Sequence, residues 1–301
     1  MINTRINFAG VEFKNPFVAA SGTFGFGREY AEFYDLSEIG GVSTKGMTIR
    51  PRCGNPTPRI AESACGIVNS VGLENPGVDA FIDRDLDFLK QRTRVIANVA
   101  GSTVEDYVAA VRKLDGLVDM IELNISCPNV KEGGVAFGIL PDSVNNITRK
   151  VKDALAKTPL MVKLSPNVAS IADNARAAEA GGADAISLVN TFTAMAIDVR
   201  TRRPLLANLT GGLSGAAIMP VALRMVYEAS RAVKIPVMGM GGITCGEDAV
   251  RFMLAGASMV QVGTANLSSP NAMLKIKEEF EEYMVKYGVT EASELTGALI
   301  V

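Results

Sequence analysis

The sequence predicts an α/β protein built as one barrel, in which eight parallel strands alternate with helices and close on themselves. The first observation is that short apolar runs ending in a polar residue or a glycine recur eight times along the chain. The second is that helical periodicity fills several of the intervals, as expected when helices connect parallel strands. The third is that residues 22–27, after the first run, read GTFGFG and lack the G-x-G-x-x-G spacing of an open, doubly wound sheet. A (β/α)8, or TIM, barrel is therefore favoured over the open sheet.

The predicted strands differ in length, but each leads into a polar or glycine-containing segment. They comprise residues 17–20, 41–44, 95–97, 120–123, 160–162, 185–189, 237–240 and 259–262. Before them, residues 6–8 and 11–13 alternate around Ala9-Gly10 and predict a short hairpin. Long connections follow the second, fourth and sixth strands, at residues 47–76, 131–140 and 192–218. Such connections at the carboxyl ends of barrel strands are where active sites are built.

Three intervals between the strands carry apolar residues at helical spacing on one face. These residues are Val104, Tyr107, Val108, Val111 and Leu114; Ile147, Val151, Ala154 and Leu155; and Ala222, Met225, Val226, Ala229 and Val233. Each interval follows a predicted strand, which is the place of a helix that crosses between parallel strands.

The length and charge of the chain exclude several classes of protein. Barrels of about 250 residues are commonly one domain, so we expect a single domain over residues 1–301. A formal charge of −2 and a pI near 5.5 give no electrostatic bias toward nucleic acid or an anionic membrane. No apolar run approaches the ~18 residues of a membrane span. Residues 1–5 lack the apolar core of a signal peptide, so we expect a cytoplasmic protein.

The chain contains no histidine, which removes the commonest general base and the commonest metal ligand. Its four cysteines show no C-x-x-C spacing, so no metal site is predicted. Cys127 follows the fourth strand among polar neighbours and precedes residues 131–138, whose glycines are typical of a mobile loop. A buried structural cysteine is the ordinary interpretation of a lone thiol. The polar neighbours make Cys127 a candidate base.

Polar side chains collect at the carboxyl ends of the predicted strands, which meet on one face of a barrel. They are Lys45, Asn98, Asn124, Cys127, Lys163, Asn190 and Thr191. The two lysines need negative charge nearby, supplied either by a ligand or by a barrel carboxylate. Carboxamides at positions 69, 98, 124, 129 and 190 suit a planar ligand with imide-like edges.

Glycine corners follow the last two strands, at Gly241-Gly242 and at Gly263-Thr264. Barrels commonly bind phosphate at this place, because glycine lets backbone N–H groups approach the anion and a following helix N-terminus assists. The alternative is that these glycines only permit tight turns. Two such corners on adjacent strands favour a phosphate site.

Several segments match a known enzyme family. They are residues 21–23 (SGT), 43–46 (STKG), 51–59 (PRCGNPTPR), 69–77 (NSVGLENPG), 124–129 (NISCPN), 162–164 (VKL) and 239–243 (GMGGI). With these motifs the chain resembles the class 1 dihydroorotate dehydrogenases over nearly its whole length. NISCPNV followed by K-x-G-G-x-x-F-G is similar to class 1B, the NAD-linked catalytic subunits. The fumarate-using class 1A and the membrane-associated class 2 match less well.

The resemblance implies a flavoprotein that oxidises (S)-dihydroorotate to orotate in pyrimidine (UMP) biosynthesis. FMN would be lined by Ser21, Lys45, Gly46, Asn98, Asn124, Lys163, Val189 and Gly215, with its phosphate on Gly241, Gly242, Gly263 and Thr264. Dihydroorotate would be held by Lys45, Asn69, Ser70, Val71, Gly72, Leu73, Asn124, Asn190 and Thr191. Cys127 would remove the C5 proton while the C6 hydride passes to flavin N5, and Lys45 would reach both flavin and substrate.

The resemblance also implies a partner, because this chain has neither a dinucleotide fingerprint nor a set of cluster ligands. Electrons would leave through a second subunit that carries FAD and a 2Fe-2S cluster, docked on a homodimer of this chain to form a heterotetramer. Three alternatives stay open. They are a fumarate-linked, class 1A-like enzyme, a barrel of the dihydropyrimidine dehydrogenase type, and a flavin- or phosphate-binding barrel with no redox role.

Overall fold

The computed structural model describes residues 2–126 and 135–301. The strands, numbered along the chain, are β1 (Ile6–Phe8), β2 (Val11–Phe13), β3 (Phe17–Ala19), β4 (Gly41–Ser43), β5 (Ile60–Ser63), β6 (Gly66–Asn69), β7 (Arg94–Val99), β8 (Met120–Asn124), β9 (Leu160–Lys163), β10 (Ala185–Leu188), β11 (Phe192–Met195), β12 (Ile197–Asp198), β13 (Arg203–Pro204), β14 (Thr210–Ser214), β15 (Val237–Met240) and β16 (Met259–Val262). The helices are α1 (Val78–Arg84), α2 (Leu86–Lys90), α3 (Val104–Leu114), α4 (Val135–Ile139), α5 (Pro141–Lys152), α6 (Ile171–Ala180), α7 (Met219–Ala232), α8 (Gly246–Leu254), α9 (Ala265–Ser268) and α10 (Ala272–Tyr287).

Eight of these strands form a closed parallel barrel in the order β3-β4-β7-β8-β9-β10-β15-β16, with β16 beside β3. They are the strands predicted from the sequence, and β15 and β16 match the predicted bounds residue for residue. The barrel strands are buried along almost their whole length. Both of their faces are buried because helices cover the outside of a barrel and side chains fill its interior.

The predicted amino-terminal hairpin is confirmed: β1 and β2 pair antiparallel around Ala9 and Gly10, which both have positive φ. Phe8 and Phe13 are buried edge to face, with ring centroids 6.5 Å apart. Arg94, the first residue of β7, donates from Nε to the Glu12 carbonyl at 3.0 Å. The hairpin therefore lies at the amino ends of the barrel strands, opposite the predicted site.

The three segments with apolar helical spacing form α3, α5 and α7. Helix α3 begins with a capping box, in which Thr103 and Asp106 each accept a hydrogen bond from the other's backbone N–H. Helix α5 ends at Lys152 and α7 at Ala232, so Ala154, Leu155 and Val233 follow the helices. No helix in the described part of the chain has the length and apolar character needed to cross a membrane.

The long connections after β4 and β10 build one structure together. Strands β5 and β6 belong to the first connection, and β11 to β14 belong to the second. β11, β14, β6 and β5 pair in that order as an antiparallel sheet, while β12 and β13 form a separate hairpin. The connections predicted only as loops therefore contain strands, and these strands bind the two connections to each other.

The segment predicted as a mobile loop, residues 131–138, lies partly outside the described residues. Its described part belongs to α4, so the expectation of a loop is wrong for residues 135–138. Asn174 of α6 holds this helix, because its side-chain amide donates to the carbonyls of Gly138 at 2.8 Å and Ile139 at 3.2 Å. The packing is close: a Cβ added at Gly138 would lie 2.3 Å from the Ile125 carbonyl oxygen.

Candidate active site

A cavity of about 670 Å³ opens at the carboxyl ends of the barrel strands, where the sheet of β5, β6, β11 and β14 adjoins it. This volume is typical of a small-molecule site. Residues at the ends of β3, β4, β8, β9, β10, β15 and β16 line its wall. The barrel thus brings segments from the whole length of the chain to one place.

Most residues predicted to bind a cofactor or substrate line this cavity. They are Ser21, Lys45, Gly46, Asn69, Val71, Gly72, Leu73, Asn124, Lys163, Val189, Asn190, Thr191, Gly215, Gly241, Gly242, Gly263 and Thr264. Asn98 and Ser70 are fully buried behind the wall and are not among the lining residues. Cys127 lies outside the described residues.

Gly241 and Gly242 form a corner after β15 that excludes larger residues. Their φ angles are +129° and +82°, a range that favours glycine. A Cβ on Gly241 would lie 2.7 Å from the Ala222 Cβ, and one on Gly242 would lie 2.7 Å from the Met219 Cβ and 2.9 Å from the Gly215 carbonyl. Both glycines also line the cavity, so the backbone of this corner borders the space that an anion would occupy.

The amino terminus of α8, which follows this corner, is occupied by carboxylates of the protein. The Gly246 N–H donates to Glu279 Oε2 at 2.8 Å, and Asp248 Oδ2 accepts from the Thr244 N–H at 3.0 Å and the Thr244 hydroxyl at 2.9 Å. Burial raises the pKa of Asp248, but its hydrogen bonds, those from Thr244 foremost, outweigh burial and lower the pKa. The expectation that this helix end assists a phosphate is therefore wrong for α8.

The antiparallel sheet positions the residues predicted to bind substrate. Asn69 at the end of β6 pairs with Gly212 of β14, and its Nδ2 donates to the Gly212 carbonyl at 3.4 Å. Thr191 packs on the same glycine, since a Cβ there would lie 2.0 Å from Thr191 Oγ1. Asn55 supports the following loop, because its N–H donates to the Val71 carbonyl at 3.0 Å and its side chain would collide with a Cβ on Gly72.

A chain of carboxamides runs from the barrel interior to the cavity. Asn98 donates from Nδ2 to Glu122 Oε2 at 2.6 Å, and Asn98 Oδ1 accepts from Asn124 Nδ2 at 3.2 Å. Asn190 Nδ2 donates to Ser126 Oγ at 2.7 Å and to Asn124 Oδ1 at 3.4 Å. Asn98 therefore supports the lining residue Asn124 from below.

Glu122 lies at the centre of this arrangement, on β8, with no solvent exposure. Its carboxylate accepts hydrogen bonds from side chains on several other barrel strands. The donors are Ser43 Oγ at 2.6 Å and Asn98 Nδ2 at 2.6 Å to Oε2, and Ser187 Oγ at 2.7 Å and Gln261 Nε2 at 2.8 Å to Oε1. Lys163 Nζ of the neighbouring strand β9 lies 4.0 Å from Oε2.

The charge of Glu122 is favoured despite its burial. Burial raises the pKa of this carboxyl, but the Lys163 ammonium and the hydrogen bonds from Ser43, Ser187 and Asn98 outweigh burial and lower it. The sequence left open whether Lys163 faces a ligand or a barrel carboxylate. Lys163 forms an ion pair with the barrel carboxylate of Glu122 and also lines the cavity. Lys45 lines the same cavity, and its backbone N–H donates to the Gly25 carbonyl at 3.0 Å.

Residues 3–284 match the family model described as dihydroorotate dehydrogenase. The chain belongs to the dihydroorotate dehydrogenase family. Two curated relatives named "Dihydroorotate dehydrogenase B (NAD(+)), catalytic subunit" are similar over their whole length. The protein of Alkaliphilus metalliredigens (strain QYMF) is 56% identical over 300 residues, covering 99% of each chain. That of Caldicellulosiruptor saccharolyticus (strain ATCC 43494 / DSM 8903 / Tp8T 6331) is 54% identical over 297 residues, covering 98% of this chain and 99% of the relative.

A solved structure of a dihydroorotate dehydrogenase supports the same fold. The crystal structure of DHODH from Eimeria tenella in complex with ferulenol superposes with a TM-score of 0.82 and 22% identity. It covers 98% of this chain and 88% of the other. The predicted barrel, the predicted family and the enzyme class, a dehydrogenase, are confirmed.

Three polar residues of this dehydrogenase site were missed by sequence reasoning. Glu122 is the one charged residue in the apolar run 120–123, and a charge within a predicted buried strand is a signal by which the sequence could have identified it. Gln261 lines the cavity, and its buried Oε1 has no hydrogen-bond partner within the described residues. Tyr107 has the spacing of an apolar helix face, yet its hydroxyl donates to the Asn124 carbonyl at 2.8 Å.

Proposed function

We propose that this chain is the catalytic subunit of an NAD-linked dihydroorotate dehydrogenase, which oxidises (S)-dihydroorotate to orotate in pyrimidine biosynthesis. The observation that carries the proposal is one cavity that combines the glycine corner at Gly241 and Gly242, several carboxamides and the buried cation Lys163. Membership of the dihydroorotate dehydrogenase family supports dihydroorotate as the substrate. The shared name of relatives that are 56% and 54% identical supports the link to NAD.

The residues of the cavity fit a flavin, the cofactor on which this family depends. The backbone of Gly215, Gly241 and Gly242 lines the cavity and suits its phosphate. Lys163 supplies positive charge where a reduced flavin carries negative charge. The unpartnered Oε1 of Gln261 needs a donor, which a bound ring supplies.

The proposed cofactor is FMN. Its ring and side chain would be held by Ser21, Lys45, Gly46, Asn98, Asn124, Lys163, Val189 and Gly215, with the phosphate on Gly241, Gly242, Gly263 and Thr264. Asn98 would act through Asn124, because its own side chain is behind the wall. When bound, the flavin supplies the acceptor for the hydride that leaves C6 of the substrate.

The carboxamides of the cavity suit dihydroorotate, whose ring has imide-like edges and a carboxylate. Asn69, Asn124 and Asn190 offer paired donors and acceptors to such edges. Lys45 supplies positive charge for the carboxylate. The full proposed set is Lys45, Asn69, Ser70, Val71, Gly72, Leu73, Asn124, Asn190 and Thr191.

Cys127 is proposed as the base that takes the C5 proton, with the thiolate as the active form. Its neighbour in the chain, Ser126, is buried and accepts from Asn190 at 2.7 Å. The residue before Cys127 is therefore held against Asn190, which lines the cavity.

The proposed assembly is a homodimer of this chain with a second subunit that carries FAD and a 2Fe-2S cluster, together a cytoplasmic heterotetramer. The words "catalytic subunit" in the relatives' names support the presence of a second subunit. Electrons from dihydroorotate would then pass through the partner to NAD.

The decisive experiment is an anaerobic titration of the purified chain, reconstituted with FMN, by dihydroorotate. We expect the flavin absorbance to bleach with dihydroorotate and to persist with dihydrouracil. Bleaching by dihydrouracil alone would favour the dihydropyrimidine dehydrogenase alternative. Efficient reoxidation by fumarate would favour the class 1A alternative, and a chain that binds flavin without being reduced would favour a binding protein.

A further inference from the structure

The buried carboxylate of Glu122 has a role that the proposed reaction does not yet assign. We propose that Glu122 is a positioning residue, which supplies the counter-charge for Lys163 beside the cavity and sets the orientation of the Asn98 carboxamide beneath Asn124. Glu122 touches neither cofactor nor substrate in this account, since it is not a lining residue of the cavity. The inference rests on the proposed function, because it concerns how the flavin and substrate meet these side chains.

The hydrogen bonds of Glu122 leave the Lys163 ammonium available to a ligand. A carboxylate accepts at about four positions, and Ser43, Asn98, Ser187 and Gln261 each donate to one of its oxygens at 2.6–2.8 Å. Lys163 Nζ, at 4.0 Å, is beyond hydrogen-bond distance. Glu122 therefore balances the charge of Lys163 without using its N–H donors, and no hydrogen bond to another described residue uses them.

Lys163 could not occupy this place without a counter-charge. Its side chain is 6% exposed and that of Glu122 is 0% exposed. An isolated buried ammonium is strongly unfavourable, so such a group either finds an opposite charge or loses its own. Within the described residues, Glu122 is the carboxylate that forms an ion pair with Lys163.

The carboxylate also determines which way the Asn98 carboxamide faces. Because an ionised carboxylate only accepts, Asn98 must direct Nδ2 toward Glu122 and Oδ1 toward Asn124. Asn124 then gives Nδ2 to Asn98 and leaves Oδ1 to accept from Asn190. Reversal of the Asn98 amide would place two NH₂ groups against each other, so the charge of Glu122 orients Asn98. The backbone N–H groups of Ser126 and Thr191 donate to Asn124 Oδ1 at 3.4 Å and to Asn190 Oδ1 at 2.8 Å, and they hold those two amides in the same sense.

Glu122→Gln removes this charge while keeping the shape of the side chain. The new amide can donate to Gln261 if that carboxamide turns, since Gln261 Oε1 has no other partner within the described residues. The Ser187 hydroxyl can rotate to accept or donate. We therefore expect the variant to fold and to retain flavin.

Sulfite binding to the oxidised flavin measures the positive charge beside the ring, because the adduct places negative charge on the flavin. We expect Glu122→Gln to weaken sulfite binding roughly tenfold, equivalent to ~1.4 kcal/mol, when Lys163 is present. In the Lys163→Met background the same substitution should cause no weakening. Orotate binding, followed by the change in flavin absorbance, should also weaken, by roughly fivefold, in Glu122→Gln, because Asn98 loses its fixed orientation beneath Asn124.

Ser43→Ala is the matched control, because it removes one hydrogen bond from the same carboxylate and keeps the charge. We expect its sulfite and orotate dissociation constants to stay within about twofold of the native values. The inference would be overturned if Ser43→Ala and Glu122→Gln lost equal affinity, or if Glu122→Gln bound sulfite as tightly as the native protein or more tightly. It would also be overturned if Glu122→Gln weakened sulfite binding equally with and without Lys163. A native chain that binds no flavin, or whose flavin dihydroorotate does not reduce, would instead overturn the proposed function.

Discussion

Asn69 and Gly212, 143 residues apart in the chain, lie opposite each other where β6 pairs with β14. This pairing joins the connection after the second barrel strand to the connection after the sixth. Asn69 and Thr191, two of the residues proposed to hold substrate, both contact Gly212. The substrate side of the cavity therefore depends on a close approach between two backbone segments outside the barrel.

Gly212→Ala should weaken substrate binding while flavin stays bound. A Cβ at this position would lie 2.0 Å from Thr191 Oγ1 and 2.6 Å from Thr191 Cβ, so Thr191 must move. We expect the KM for dihydroorotate to rise by roughly tenfold or more, the effect of ~1.4 kcal/mol of lost binding. The control is Thr193→Ala on the neighbouring strand β11, whose side chain is exposed. A normal KM in Gly212→Ala would show that Thr191 does not contact substrate.

Gly242→Ala should reduce the affinity for FMN. Alanine at a φ of +82° costs ~1–2 kcal/mol, and its Cβ would also crowd Met219 and the Gly215 carbonyl. We expect FMN binding to weaken by about tenfold or more, measured by fluorescence titration of the apoprotein. Gly10→Ala is the control, since Gly10 has a φ of +83° but no atom within 4 Å of the added Cβ. Equal FMN affinities in the two variants would exclude the corner as the phosphate site.

Cys127→Ala should slow the reduction of flavin by dihydroorotate by roughly 10²–10⁴-fold, the usual contribution of a positioned general base. FMN and orotate binding should stay close to native, because other strand ends supply those contacts. Cys127→Ser should be nearly as slow, since a hydroxyl is a poorer base than a thiol. Stopped-flow absorbance measures all three rates. Cys65→Ala is the control, because Cys65 is an exposed thiol that lines the same cavity. A native rate of flavin reduction in Cys127→Ala would refute Cys127 as the base.

Asp248→Asn should destabilise the protein at neutral pH and less so in acid. The folded protein lowers the pKa of Asp248 below its ordinary value of 3.8, so the stabilisation is fully present above that value. It is lost as the pH falls through the lower folded pKa. We expect a loss of ~1–3 kcal/mol at pH 7, measured by urea unfolding, and a smaller loss near pH 3. Glu247→Gln, on the exposed side of the same helix, should change stability little at either pH.

The chain reconstituted with FMN alone should not reduce NAD. It contains no dinucleotide fingerprint and no cluster-ligand spacing, so electrons should stop at the flavin. An artificial dye that accepts electrons from flavin should be reduced on addition of dihydroorotate. NADH formation by the chain without a partner would contradict the proposal that a second subunit passes the electrons to NAD.

The barrel and the face that carries the site were predictable from local sequence. Each strand is a short apolar run that ends at a polar residue or glycine, and parallel strands present their carboxyl ends on one face. This rule alone placed Lys45, Asn124, Lys163, Asn190 and the glycine corners together, and the cavity confirms the grouping. Family motifs supplied Asn69 to Leu73, which no periodicity would have placed at the same cavity.

Tertiary structure decided the rest. The amino terminus of α8 looks available in the sequence, but Glu279 of α10 occupies it from 33 residues away. Each connection forms one pair of strands by itself, β5 with β6 and β11 with β14, but the four-stranded sheet required β6 and β14 to meet. Glu122 is one charge in an apolar strand, and only closure of the barrel supplies Ser43, Ser187 and Gln261 to its carboxylate. The sequence by itself determined which strands form and where they end, because apolar periodicity is local. The partners of buried charges were decided only by folding, because hydrogen bonds between distant strands depend on three-dimensional position.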